Sequence, residues 1–199
     1  LTALDGGAFS FSAWVNSADP TQAWKRIFDL GTGAGDENVI LSFVGDASGT
    51  MYYEVRQSIK IPSERREEIK ITSIFPSNQW VLVQLIHRAD TTAEIYWNGI
   101  KKVSGSVHLP LVTARTWYLG KSHVSFDVDF QGKMKEVAFF NGELNLQTLD
   151  LHNLPSYAFD PSIAYWTGSK VAATTCAAVG CSPTVASAST TLPDPPKSI

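Results

Sequence analysis

Three kinds of side chain in this sequence carry reactive groups, and their spacing decides what chemistry is open to them. The first are the acids. Asp127 and Asp129 flank Val128, and on a strand residues two apart share one face. Two carboxylates so placed repel unless a cation or water screens them, and a solvent face accounts for them most simply. Glu64, Glu67 and Glu68 stand among arginines in a polar run without strand alternation. The second are the histidines. His87, His108, His123 and His152 are scattered and form no Ser/His/Asp arrangement. Core or surface roles are expected for each. The third are the thiols. Cys176 and Cys181 bound the segment Cys-Ala-Ala-Val-Gly-Cys. A redox motif would place two residues between them, and no His or further Cys is near to complete a zinc site. Gly180 allows a bend. A small structural disulfide is expected, with two free thiols as the alternative; the bridge would imply an oxidising compartment. Gly31 to Asp36 has a superficial likeness to a phosphate loop, but it lacks the Gly-Lys-Ser/Thr ending and no helix follows it.

The elements that must position these groups read as strands. Phe9 to Val15 alternates with period two, and Asp19-Pro20 ends it. Further strands are predicted at 26–30, 39–43, 50–55, 69–74, 80–87, 93–97, 116–119 and 132–140. Pro62 to Glu68 is expected to be a loop tip, and the Arg65-Arg66 and Lys101-Lys102 pairs to be solvated loop charges. Asn98-Gly99 predicts a type I′ hairpin. Asn145 predicts the cap of one short helix from Leu146 to His152, which Pro155 stops. Many short strands with frequent turns and one helix indicate an antiparallel β-sandwich. Its core is expected to contain Trp14, Phe28, Trp80, Leu119, Val137 and Phe139.

Composition sets further bounds. The sequence has 199 residues, 44% hydrophobic and 18% charged, with a formal net charge of −3. That size suits one all-β domain, 1–154, plus a tail, 155–199. The weak negative charge gives no case for nucleic acid or an anionic membrane. No apolar run reaches the length of a membrane span, so no membrane insertion is expected. The chain begins with Leu1, without an initiator Met, and reads as a processed form or a fragment of something longer. Residues 167–199 are rich in Ser, Thr, Ala and Pro and cannot order themselves by apolar burial alone. Something else is expected to hold them: the parent domain, a neighbouring copy or a sugar coat.

The order of motifs resembles the laminin-G-like jelly roll of the concanavalin-A-like superfamily. It is carried by Ala13-Trp14-Val15, Arg26-Ile27-Phe28-Asp29, Trp80, Tyr96-Trp97-Asn98-Gly99, and Phe130 to Val137 followed by Leu144. The resemblance covers roughly residues 3–153 and implies a two-sheet antiparallel jelly roll. In relatives that bind calcium, an Asp of the final strand helps to hold the ion; Lys135 stands there in this chain. An ammonium cannot replace an oxygen ligand, so the resemblance argues against calcium. Lys135 is expected either to pair with an N-terminal acceptor such as Asp5 or to be solvated. Laminarinase-type hydrolases of the superfamily carry Glu-x-Asp-x-x-Glu, which this sequence lacks, so no catalytic residues are assigned and a non-enzyme is expected.

Two functions follow as expectations. The main one is an extracellular structural or adhesive module that assembles through its C-terminal arm. Strand addition to a sheet edge would be anchored by Tyr157, Phe159, Ile163, Tyr165 and Trp166, and its partners would be other copies or another extracellular protein. The stretch Ser182 to Thr191 would suit O-glycans, and no N-glycosylation sequon occurs. The alternative is a lectin-like carbohydrate-binding module, with Trp24 and Trp97 as the candidate sugar-stacking rings and core packing as the competing role of each.

Overall fold

Residues 7–57, 66–110 and 116–146 are described by a computed structural model, together with the backbone of two later strands at 163–166 and 174–177. Ten strands build the domain body: β1 (Phe9–Ser17), β2 (Arg26–Gly31), β3 (Val39–Phe43), β4 (Met51–Arg56), β5 (Arg66–Lys70), β6 (Val81–His87), β7 (Thr92–Trp97), β8 (Ile100–Ser106), β9 (Thr116–Leu119) and β10 (Gly132–Asn141). Two more, β11 (Ile163–Trp166) and β12 (Thr174–Ala177), belong to the tail. One sheet has the order β11-β10-β1-β6-β7-β8 and the other β12-β9-β2-β3-β4-β5; every ladder is antiparallel. The jelly-roll sandwich expected from the sequence is the fold. The predicted helix, apart from its first residues, lies outside the described residues, as do Asp5, Tyr157, Phe159 and Cys181.

Alternation decides what is buried. In β1 the side chains of Phe9, Phe11, Ala13 and Val15 point into the sandwich and are buried. They meet Phe28 and Leu30 of β2, Leu41 of β3, Tyr53 of β4, Val83 and Leu85 of β6, and Phe139 of β10. Phe11, Phe28 and Phe139 form a ring cluster with centroids 4.9–5.3 Å apart, and Trp117 adds an edge contact to Phe139 at 5.0 Å. Leu119 packs at the margin of this core. In β10 the alternation is reset by a bulge: Glu136 takes a left-handed backbone (φ 52°) and the register shifts opposite Ser12–Trp14. Met134, Val137 and Phe139 thereby all reach the core while Lys135 stays outside.

Several expectations need correction. Trp14 and Trp80 are only half-buried and lie outside the core; Trp14 shares the outward parity of Ser10 and Ser12. Arg66 to Glu68 are strand, not loop tip, and Lys101-Lys102 belong to β8. The residues from Lys121 to Gln131 form a loop, so Asp127 and Asp129 do not share a strand face. The Asn98-Gly99 turn has φ of 50° and 75°, as a type I′ hairpin requires.

The tail strands pair within the chain. The backbone of Ile163–Trp166 runs antiparallel to Val137–Phe140, and that of Thr174–Ala177 to Thr116–Leu119.

Candidate functional site

Exposed apolar side chains concentrate at one end of the sandwich. This is the end where Ala18 N–H donates to the Gln131 carbonyl at 2.9 Å and the Asn98-Gly99 turn closes. The large apolar side chains exposed among the described residues are Trp24, Ile74, Ile100, Phe126 and Val128. Each lies on a connection at this end or beside one. Several exposed apolar side chains at one end mark a candidate recognition surface better than any single exposed residue does.

Trp24 is the most constrained of them. It sits just before β2 in the left-handed region (φ 63°), an unusual backbone for a bulky residue. Its indole lies against the backbone of Gly45, where an added Cβ would come within 1.9 Å of the ring. Tyr52 meets it edge-on, with centroids 6.1 Å apart and planes at 89°. The Arg26 guanidinium carbon is 5.7 Å from the ring centroid, within cation–π range. The ring nevertheless remains 38% exposed. It is a fixed aromatic surface with an open side.

Arg26 is the hub beneath it. Nη1 donates to Ser42 Oγ at 3.0 Å and to Tyr52 Oη at 2.9 Å, and Nη2 donates to Asp127 Oδ2 at 2.9 Å. Asp29 lies 3.6 Å from Nε. Asp29 also accepts from Asn38 Nδ2 at 2.8 Å and from the His123 backbone N–H at 3.1 Å, with His123 Nδ1 3.0 Å away. Burial alone would raise the Asp29 pKa, but His123 and Arg26 outweigh it and hold the carboxyl below its usual range. Burial, the largest influence on Tyr52, pushes its phenol up to about 12. These groups are therefore fixed in their neutral-pH forms. Asp29 and Asp127 serve as counter-ions to Arg26, and Asp29, held low, lacks the raised pKa that a general acid needs.

The other expected site residues fall elsewhere. Trp97 is 5% exposed and packs edge-on against Phe75 at 5.1 Å, so it is a core ring and not a sugar platform. His87 is buried, accepting at Nδ1 from Tyr53 Oη and donating from Nε2 to the Val107 carbonyl, both at 2.8 Å. Lys135 lies over two rings, 5.8 Å from the Trp14 centroid and 5.1 Å from that of Trp80. Ile163, Tyr165 and Trp166 are placed by backbone only, on the β10 edge. Sequence reasoning named Trp24 as a loop aromatic that could be exposed, as it is, but missed Gly45 and Arg26 as its supports. Gly45-Asp46 was legible only as a turn, and Arg26 only as the start of a strand.

The concanavalin A-like lectin/glucanases superfamily model matches residues 2–149. The chain belongs to that superfamily. No curated protein matches its sequence significantly. Among solved structures, the domain is similar to the CBM40 of Ruminococcus gnavus IT-sialidase bound to α2,3-sialyllactose. That match has a TM-score of 0.60 and 14% identity, over 74% of this chain and 83% of that one. A putative carbohydrate-binding protein from Bacteroides ovatus matches with a TM-score of 0.55 and 18% identity, over 85% of this chain and 49% of that one. The native heptameric SAP-like pentraxin from Limulus polyphemus matches with a TM-score of 0.51 and 11% identity, over 86% and 82%. At such identities the likeness establishes this superfamily fold and nothing finer. No helix among the described residues is long and apolar enough to cross a membrane.

Proposed function

We propose that this domain is a non-catalytic carbohydrate-binding module of an extracellular protein, with Trp24 as its stacking platform. One observation carries the reading. A large aromatic ring is left more than one-third exposed while its backbone is set by a left-handed φ and Gly45, Tyr52 and Arg26 pack against the ring. A sugar's apolar face stacks on such a ring, and a ring that is already immobile loses little entropy on binding. The fold's similarity to carbohydrate-binding modules supports the assignment. Binding requires no oxyanion donor or raised-pKa acid, and the carboxylates near Trp24 are committed to Arg26 and His123. Pairing of the tail strands with the chain's own β9 and β10 favours this reading over assembly through a docked arm.

The test is a glycan array followed by calorimetry on the hits. Trp24→Ala should lower affinity for a bound glycan by roughly tenfold or more, the loss of one stacking ring, with the melting temperature little changed. A wild-type protein that binds no glycan, or a variant that binds as well as wild type, would overturn the proposal.

A further inference from the structure

The half-buried pair Trp14 and Trp80 lies on the outer face of the sheet opposite the one that carries the Trp24 site. Trp14 projects outward from β1, directly across from Lys135 of β10. Trp80 immediately precedes β6, whose Leu82 pairs with Trp14. The Lys135 ammonium stands within 6 Å of both ring centroids. Two residues along β10, on the same outward face, is the exposed Lys133, paired across with Asn16. Same-face neighbours on one strand are about 7 Å apart.

Most other cations among the described residues are paired. Arg26, Arg56, Arg66 and Arg88 each hold a carboxylate: Asp127, Glu54, Glu54 and Glu94 respectively. Lys70 and Lys101 hold Glu68 and Glu94. Among the described residues no carboxylate forms an ion pair with Lys133 or Lys135. Lys102 over Trp97 and Lys121 over Tyr118 also stand on rings without a carboxylate in ion-pair range, but among the described residues only Lys135 stands over two indoles at once. Two indoles strip part of the water from the Lys135 ammonium but supply no hydrogen-bond acceptor oxygen. A partly dehydrated ammonium in that position gains most from an incoming anion.

We infer that Trp14, Trp80, Lys133 and Lys135 form a second binding site, for a saccharide bearing an anionic group. The ring face packs on an indole, and the anion accepts hydrogen bonds from the Lys135 ammonium, with Lys133 adding attraction. The site is separate from Trp24 and does not rest on it. It also gives Lys135 a role other than filling an ion's place.

The experiment uses the whole chain and two probes, a glucuronate-containing tetrasaccharide and a neutral tetrasaccharide of the same length. The acidic probe should bind, more weakly as salt rises, and should shift the indole N–H resonances of Trp14 and Trp80 in NMR spectra. Lys135→Gln should weaken that binding roughly tenfold, and Lys135→Arg should restore most of it. Trp24→Ala should leave it unchanged, which separates this site from the first. Equal binding of the acidic probe by wild type and Lys135→Gln would overturn the inference. So would indole resonances that stay fixed at saturating probe.

Discussion

Gly45 lies so close under Trp24 that a Cβ on it would stand 1.9 Å from Cζ2 and 2.0 Å from Cε2 of the indole. Gly45 has no positive φ, so its requirement is space alone. Gly45→Ala should therefore fold, at a cost of roughly 1–3 kcal/mol for overpacking, while displacing the indole. Glycan affinity should fall about as far as in Trp24→Ala, and tryptophan emission should shift. Unchanged binding would show that the glycine seat does not matter.

Burial separates two aromatic substitutions that the sequence treats alike. Phe28 is fully buried between Phe11 and Phe139, and Phe28→Ala should cost about 3–5 kcal/mol in chemical unfolding. Trp80 is half-buried with Lys135 over its ring, and Trp80→Ala should cost only about 1–2 kcal/mol. Equal costs would place Trp80 in the core after all.

His87 gives stability a pH dependence of known sign. Burial, the largest influence, lowers its pKa from 6.5 to about 4. The folded state thus binds this proton more weakly than the unfolded chain does. The contribution is complete above about pH 6.5 and is lost as pH falls toward 4. Between pH 7 and 4.5 this one group should remove about 2–3 kcal/mol, and His87→Gln should flatten that slope. Glu94 acts lower. Burial would raise its pKa, but Arg88, Lys101 and Tyr96 together hold it at about 2. Its contribution is therefore present above about pH 4.5 and is lost between there and about 2, outside the histidine window.

Chelator should not change the melting temperature. Lys135 occupies the strand position that the calcium-binding pattern gives to an acid, and no cluster of three potential metal ligands occurs among the described residues. A fall of several degrees on adding a chelator would reveal an ion that the fold needs.

Cys176 and Cys181 should be joined. Mass measurement of the native protein after alkylation should show no modified thiol until reductant is added. Because the closed loop is short, reduction should affect stability little. Two alkylated thiols without reductant would refute the bridge.

The sandwich was legible because its inner strands are written in apolar alternation: Phe9, Phe11, Ala13 and Val15 on one parity, Val81, Val83 and Leu85 on another. What escaped were strands whose partners supply the order. Arg66-Glu67-Glu68 pairs with Glu54-Val55-Arg56 through ladder hydrogen bonds and the Arg66–Glu54 ion pair, none of which sequence periodicity reports. Trp80 was misplaced because apolar residues stand on both parities of its strand, so hydrophobicity could not choose a face. Trp14 was misplaced because its size was read as burial, although Ser10 and Ser12 mark its parity as the outward one. At the candidate site, Trp24 was visible as a loop aromatic. Its supports were not, because Gly45, Tyr52 and Arg26 converge on it from three separate segments.

The order of the strands also bears on solubility. A sandwich of two open sheets has four rims of unpaired peptide groups, each a template for aggregation. On one side these are β5 and β8, whose charged or small polar sequences, Arg-Glu-Glu-Ile-Lys and Ile-Lys-Lys-Val-Ser-Gly-Ser, discourage further pairing. On the other side are β9 and β10, which are richer in apolar residues. There β12 and β11 occupy the open positions. The two halves of the domain are thus protected by different means, composition on one side and a covalently attached shield on the other. Proteolysis after Pro155 would strip the shield from both sheets at once, leaving a domain with an intact core and two newly adhesive flanks.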